Sequence, residues 1–593
     1  MRWKDNLIVL LCFVLAGLFL TAAMTRQAPI RQARQEMGLV MNDPLENAPP
    51  SLAFTTVAMG AFRGLVVDIL WMRAENLKQE GKYFDAKQLA EWITMLQPRF
   101  SKVWDFQAWN MAYNISVALP NTQCDERWRW VLNGIELLRD RGIPLNPHDI
   151  SLYRSLGWIF WHKIGDNLDD CHRYYKKELA LDIRLLLGDK TNEAFLDLAN
   201  APRTTEEVLA NPEIFEFVQM LRQADPVFED SAKLAENYLT LRTMPDRFDE
   251  AARAIITQNY NNPALSQLDV FAHAYLIRTK WKMDPQAMVE LNHEFGPVAW
   301  NDPNERLPLN WEHPGAHALY WGAEGLKTAS RKTEYRTSEK NVDRLVFHSL
   351  QQIYRSGNLM IYTDAEKKTT VFLRPDLRMF KSCDDAWRAA IKKYVELEGN
   401  PKGISGGHKN FLENAIMSMY QSGHKVQAAR VYQELRRLYP LDDFGKVREE
   451  YKKNFRDFIV YRMKKEMDGM GLDDATEAIV LGLREAYFLY AMHNDNEAAA
   501  QEDVAEQFYN LYKADIGGDV PDRLGLPKMD MLRYAAFRDF WADPQYPESL
   551  KMALAGRIQV EKPELFERLQ KQEIWWQEQI RRMQQQQQSD TLP

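Results

Sequence analysis

The chain has 593 residues, too many for one hydrophobic core, so it implies several domains or one extended array. A hydrophobic share of 46% and a charged share of 27%, with 28 Gly and 27 Pro, exclude collagen-like or broadly disordered sequence. A net charge of −8 excludes a dedicated nucleic-acid surface, which needs a concentrated basic face.

The N-terminus "MRWKDNLIVLLCFVLAGLFLTAAMTRQ" places Arg2 and Lys4 before an uncharged run from Leu7 to Met24. Eighteen such residues are just enough to cross a hydrocarbon core as a helix. A cleaved signal peptide is the rival, but its apolar region is usually shorter, and Thr21–Ala23 is a poor small-x-small cleavage site. We therefore expect one N-terminal transmembrane helix over 1–25. The short leading tail is that of a signal-anchor, which places the large domain outside the cytoplasm. Residues 26–50, ending "NDPLENAPP", read as a linker. In "SLAFTTVAMGAFRGLVVDILWMRA", Arg63 and Asp68 interrupt the apolar run, so 51–74 reads as the first buried helix of the folded part, not a second span.

From Ser51 onward nearly every segment has helical period and length, broken at Gly and Pro clusters. The breaks divide the chain into 51–200, 201–310, 311–407, 408–516, 517–583 and a Gln-rich tail, 584–593, read as disordered. One interval differs. "LMIYTDAEKKTTVFLRPDL", 359–377, carries two β-prone runs around a charged turn and predicts a β-hairpin decorating the helices. The four cysteines, Cys12, Cys124, Cys171 and Cys383, contain no Cys-x-x-Cys pair and suggest no disulfide framework; they read as buried small apolar residues.

Two stretches share a spacing. Gly81 is followed by Ala86 at five residues and Pro98 at seventeen; Gly423 is followed by Ala428 and Pro440 at the same distances. Tyr153, Leu156, Gly157 and Phe160 of "YRSLGWIF", and Trp104 with Ala108, add aromatic and small residues at related spacing. These residues resemble the tetratricopeptide repeat, whose pattern is W-x2-L-G-x2-Y, then A-x3-F, then P. The resemblance covers 67–180 and 408–440 and is lost between Asn301 and Gly407. The "KYFDA" and "FQAWNMAYNISVALP" blocks also look like a group of bacterial membrane-anchored tetratricopeptide-like proteins with no assigned activity.

The resemblance implies an all-α, tetratricopeptide-like solenoid of stacked helical hairpins, because one such hairpin cannot bury its apolar face alone. It also implies that one face of each first helix lines a concave groove. At four-residue steps that face is Trp71, Glu75 and Gln79, then Asp105, Trp109 and Tyr113, then Arg154, Trp158 and His162. Aromatic, acidic and amide groups together suit a peptide or an extended polar ligand.

Sites for catalysis or metals are weaker in the sequence. His313 and His317 are four apart, as two metal ligands on one helix would be, but Pro314 opens the helix between them. Cys171 and His172 are adjacent and so point to different helix faces, which does not suit a nucleophile and its base. Ser405 in "GISGG" has the Gly-x-Ser-x-Gly spacing without the strand that a nucleophile elbow needs, and it reads as an interhelical loop. The expectation is a membrane-anchored scaffold without cofactor, catalytic residue or metal that binds partner proteins through its groove. The alternatives are a helical enzyme or accessory subunit acting on cell-envelope polymers, with Asp105 in acid–base work, and a subunit of a membrane transport or secretion complex.

Overall fold

The computed structural model describes residues 62–590, apart from 189, 301, 303, 330–335, 364–368, 399–401, 443 and 517–524, together with Leu15 and Pro29. The described residues are mostly helical, with one two-stranded sheet. No helix among them is long and apolar enough to cross a membrane. The anchor expected at 1–25 and the linker at 26–50 lie, but for Leu15 and Pro29, outside the described residues.

The chain forms two compact units. Of the described residues, one comprises those up to Lys176 with those in 198–288 and 314–349; the other comprises those in 177–197, 289–313 and from 350 onward. In chain order the helices are α1 Phe62–Gln79, α2 Tyr83–Leu96, α3 101–118, α4 124–145, α5 150–164, α6 His172–Leu187, α7 Asn192–Asn200 and α8 Thr205–Leu209. Then come α9 Pro212–Ala224, α10 Leu234–Thr243, α11 Glu250–Gln258, α12 Pro263–Lys280, α13 Pro285–Phe295, α14 Pro314–Ala329 and α15 Arg336–Ser356. After the strands β1 Asn358–Thr363 and β2 Thr369–Arg374 follow α16 Phe380–Glu398, α17 Lys402–Gln421, α18 Lys425–Leu438 and α19 Phe455–Met467. The last five are α20 Leu472–Ala491, α21 Asp495–Ile516, α22 Met529–Ala542, α23 Glu548–Glu561 and α24 Pro563–Asp590.

The two stretches of equal spacing fold alike. Gly81 (φ +74°) and Gly423 (φ +82°) end the first helix of each pair in the left-handed region, where only glycine sits without steric cost. At each turn two amides reach back to the closing carbonyls: Gly81 to Lys78 (3.1 Å) and Lys82 to Leu77 (2.9 Å), then Gly423 to Tyr420 (3.1 Å) and His424 to Met419 (2.8 Å). This is the Schellman closure, which satisfies carbonyls that a helix end otherwise leaves bare. Both second helices, α2 and α18, have 14 residues, and Ala86 and Ala428 are buried in them. A third pair, α20 and α21, turns the same way on His493 (φ +60°), whose amide bonds to Tyr490 (3.1 Å) while that of Asn494 bonds to Leu489 (2.9 Å).

Gly157 marks a close approach between helices distant in sequence. A Cβ there would lie 2.6 Å from Leu345 Cδ2 and 3.1 Å from Ala318 O, so α5 packs directly on α14 and α15. In the same unit, α8 to α12 enclose a separate core around Phe217, Phe228, Tyr238 and Phe271.

Four expectations need correction. Helix α1 is not a buried helix: Val67 is buried, but Leu65, Ile69 and Met72 are exposed at 59%, 52% and 62%. The "GISGG" segment is not a loop but the first turns of α17, because the glycines there face open space or a ring edge and cost the helix only propensity. The glutamines are not a disordered tail as far as Asp590, since α24 runs through them and Gln is a good helix former. The cysteine reading also fails for Cys124 and Cys171, which form a disulfide.

The hairpin forms where expected, with Asn358 opposite Arg374 and Thr363 opposite Thr369. It is more than a decoration. Phe372 packs 5.1 Å from Phe488 and 5.8 Å from Tyr546, and Arg374 pairs with Glu497 (2.8 Å) and Glu485 (3.3 Å). Phe372 packs the sheet against the core of α20 to α24, and Arg374 ties it by ion pairs to α20 and α21.

Two substitutions test these packing arguments by hydrogen exchange. Gly157→Ala forces a methyl group into Leu345 and should lower the opening free energy of α5 and α14 by about 1–3 kcal/mol. His493→Gly removes a left-handed side chain and should raise that of the α20–α21 turn by up to about 1 kcal/mol.

Candidate functional site

Three successive helices, α3 to α5, each contain one π turn: Asn110–Ile115, Leu137–Gly142 and Ile159–Ile164. Each is closed by an amide reaching back five residues, Ser116 to Met111, Ile143 to Leu138 and Gly165 to Phe160. A π turn inserts one extra residue, rotates the side chains that follow it, and occurs frequently at functional sites. Tyr113 sits in the first of these turns and His162 in the third.

The turns bring rings from α3 and α5 into one row. Trp109 stacks on Tyr113 at 4.0 Å between centroids, and Tyr113 meets His162 at 5.7 Å with its hydroxyl 3.3 Å from Nδ1. His162 stacks on Trp158 at 5.2 Å, and the Arg154 guanidinium lies 5.9 Å over the Trp158 ring. Trp161 extends the row, 4.8 Å from Trp158 and 5.9 Å from His348. Trp109 stays exposed (44%), while Tyr113, Trp158 and His162 are half-buried. Burial raises the Tyr113 phenol above its ordinary pKa and lowers the His162 imidazole below its own, which keeps the pair uncharged at neutral pH.

Five of the nine residues expected to line a groove, Trp109, Tyr113, Arg154, Trp158 and His162, therefore meet. The other four are not joined to the row. Trp71 packs at 4.5 Å on Phe106, Glu75 pairs with Lys78 of its own helix (2.9 Å), Gln79 is exposed, and Asp105 is half-buried on α3. Sequence reasoning missed Phe106, Trp161 and Lys163. The signal for Lys163 was present as a lysine beside a dense run of aromatics, since its ammonium lies 5.3 Å from the centre of the Tyr113 ring.

Behind the row lies a buried ionic knot. Asp169 receives Lys163 Nζ at 2.5 Å and Arg127 at 3.3 Å, and all three side chains are at most 7% exposed. Arg127 also donates from Nε (2.9 Å) and Nη2 (2.6 Å) to the carbonyl of Leu119. Burial opposes the charge on Asp169, but hydrogen bonds from Lys163 and the Cys171 amide, with the charges of Lys163 and Arg127, outweigh it and hold the carboxyl below its usual range. Two residues on, Cys171 forms a disulfide with Cys124 (Cα–Cα 5.5 Å). This corrects the cysteine expectation: the partners are 47 residues apart, a separation that no local motif reveals. Cys383 is free and buried.

At the start of α6, Lys176 spends its ammonium protons on Asp166 O (2.9 Å), Asn167 Oδ1 (3.0 Å) and His172 Nδ1 (2.8 Å). Burial lowers Lys176 to about 8, and burial with the Lys176 charge lowers His172 to about 4. The remaining candidates have structural roles. His313 bonds to Ser356 Oγ at 3.0 Å, His317 stacks on Phe160 at 4.9 Å, and Cys171 is consumed by the disulfide beside His172. Among the described residues no group of three His, Cys, Asp or Glu side chains could hold a metal ion.

Comparison of the chain with protein-family models, with curated proteins and with solved structures found no match.

Two measurements test the knot. Cys124→Ser with Cys171→Ser should destabilise 119–171 by about 2–4 kcal/mol, read as lost hydrogen-exchange protection, because the crosslink restricts the unfolded chain. The second concerns pH. Because His172 is depressed when folded, the unfolded chain takes up a proton first as pH falls from its ordinary value of 6.5 to about 4. Protection of 165–176 should therefore decline across that window, and His172→Gln should flatten the decline.

Proposed function

We propose that this chain is a non-enzymatic scaffold, tethered to a membrane by its first 25 residues, that binds partner proteins through a tetratricopeptide-like surface on its N-terminal hairpins. One observation carries the reading. Large apolar side chains stay exposed along three successive helices: Leu65, Ile69 and Met72 on α1, Phe84, Trp92 and Met95 on α2, and Phe106 and Trp109 on α3. Single exposed apolar residues are ordinary, but their recurrence over adjacent helices is how protein-interaction surfaces are built. Tryptophan and phenylalanine are also the residues that anchor such contacts. Asp105 and Glu75 stand on the same helices and would orient a partner segment bearing cations.

The solenoid reading is supported by the Schellman-closed hairpins at Gly81 and Gly423, which repeat one local geometry in two places. The extracytoplasmic placement is supported by the Cys124–Cys171 disulfide, a bond that persists in oxidising compartments.

Gentle solubilisation of membranes followed by capture of the full chain should recover the same partner proteins repeatedly. Phe106→Ala with Trp109→Ala, both surface changes, should cut recovery at least tenfold, while Asp105→Asn should alter it less than threefold. Turnover of a cell-envelope polymer that disappears with Asp105→Asn would overturn the scaffold reading. A C-terminal reporter active only in the cytoplasm would overturn the placement.

A further inference from the structure

The last three helices enclose a cavity that no scaffold role requires. Its volume is about 180 Å³ and it is open on one side. Phe537 of α22, Ile558 of α23, and Phe566 and Leu569 of α24 form its walls, and Ala555 stands beside them. An apolar cavity of about 150 Å³ stays dry and takes up a benzene-sized molecule, because water inside it would have no hydrogen-bond partners. This pocket is slightly larger but half open, with apolar walls and polar groups at its rim, so its size and walls fit one ring or one branched aliphatic group.

The rim supplies the rest of the recognition. Tyr534, Gln570 and Glu573 complete the lining. The Tyr534 hydroxyl donates to Glu573 Oε2, and Gln577 Nε2 donates to Glu573 Oε1 at 2.7 Å. The Tyr534 hydrogen bond, ahead of smaller contributions from Gln577 and Arg538, holds the Glu573 carboxyl below its usual range, so it is ionised at neutral pH. Arg538, whose charge also bears on Glu573, lies over the rings of Trp576 (5.4 Å) and Tyr534 (6.0 Å). Each carboxylate oxygen keeps a lone pair for one further donor.

We infer that this cavity is a binding site for a small amine with a compact aromatic or branched aliphatic body, the body seated between Phe537, Ile558, Phe566 and Leu569 and the ammonium on Glu573. A neutral molecule of the same shape would keep the apolar contact and lose the charge-assisted hydrogen bond. A carboxylate of the same shape would meet Glu573 as a like charge. The site lies at the C-terminal end of the chain, and its test is independent of the partner surface on α1 to α3.

The experiment uses the full chain in detergent-free lipid discs, because a detergent tail would compete for the cavity. Three probes share one body and differ in head group: phenethylamine, phenethyl alcohol and 3-phenylpropionate. Ligands of this size reach dissociation constants on the order of 0.1–1 mM. Ligand-observed NMR should rank the amine first, the alcohol weaker, and the carboxylate at least tenfold weaker than the amine. Glu573→Gln keeps the acceptor for Tyr534 and should bring amine and alcohol within about twofold of each other. Ala555→Trp should abolish binding of all three. Ala555→Leu, a milder filling that leaves the helix intact, should weaken the amine at least fivefold. Absence of saturable binding, carboxylate binding as tight as the amine, or amine binding unchanged by Ala555→Leu would each overturn the assignment. So would a dimer that excludes the probes and dissociates on Ala555→Leu, since the cavity would then hold a second copy of the chain.

Discussion

The buried carboxylate of Asp169 is the constraint on which the N-terminal unit depends. It sits between Arg127 of α4 and Lys163 of α5, so one side chain fixes the spacing of two helices and the loop that follows them. Removing one partner of such a group leaves an uncompensated buried charge at a cost of about 3–5 kcal/mol, which is why the arrangement tolerates little freedom. The disulfide from Cys171 to Cys124 ties the same loop to the start of α4, two residues from the carboxylate. The covalent and ionic restraints thus act on one point. Lys163 passes the constraint outward, because its ammonium bonds to Asp169 on one side and lies near the Tyr113 ring on the other. The aromatic row is held in place from behind.

What the sequence revealed and what it hid divide along a physical line. The hairpins at Gly81 and Gly423 were legible because a left-handed turn demands glycine, a demand written in single residues at fixed spacing. The β-hairpin was legible for a similar reason: a local run of β-branched and aromatic residues around a turn. The third Schellman turn was not, since His493 pays steric strain where the others use glycine and so leaves no mark in composition. The disulfide joins residues 47 positions apart and the Arg127–Asp169 arm of the knot residues 42 apart, and no local pattern encodes such a pairing. Gly157 shows both sides at once. Its small size is plain in the sequence, but its partners Ala318 and Leu345 lie far along the chain.

Of the candidate site, the four-residue step recovered the rings of α3 and α5 because 109 to 113 and 158 to 162 lie on one face of a helix. It could not foresee that both helices carry a π turn, which depends on hydrogen bonds skipping one residue more than usual. Separately, the apolar run of 51–74 suggested that α1 is a buried helix, which equates apolar content with burial. The exposed Leu65, Ile69 and Met72 show that apolar content alone does not place a side chain in the core.

The self-stacking of the row constrains how it can act. Tyr113 stacks one face on Trp109 and has the Lys163 ammonium near its ring, while His162 stacks one face on Trp158 and meets Tyr113 at a tilt, so little ring face is left for a ligand. On the partner-binding function proposed above, recognition would use the exposed member, Trp109, together with the neighbouring Phe106, which is itself in contact with Trp71. The half-buried rings serve a different purpose. They make Trp109 rigid, so that little side-chain freedom remains to be lost when a partner binds, and that saving is what separates an anchoring residue from a merely exposed one. A row braced by Lys163 and closed behind by Asp169 is a support of this kind. The π turns set the register of that support, because a regular helix would carry the residues beyond Tyr113 and His162 on a different face.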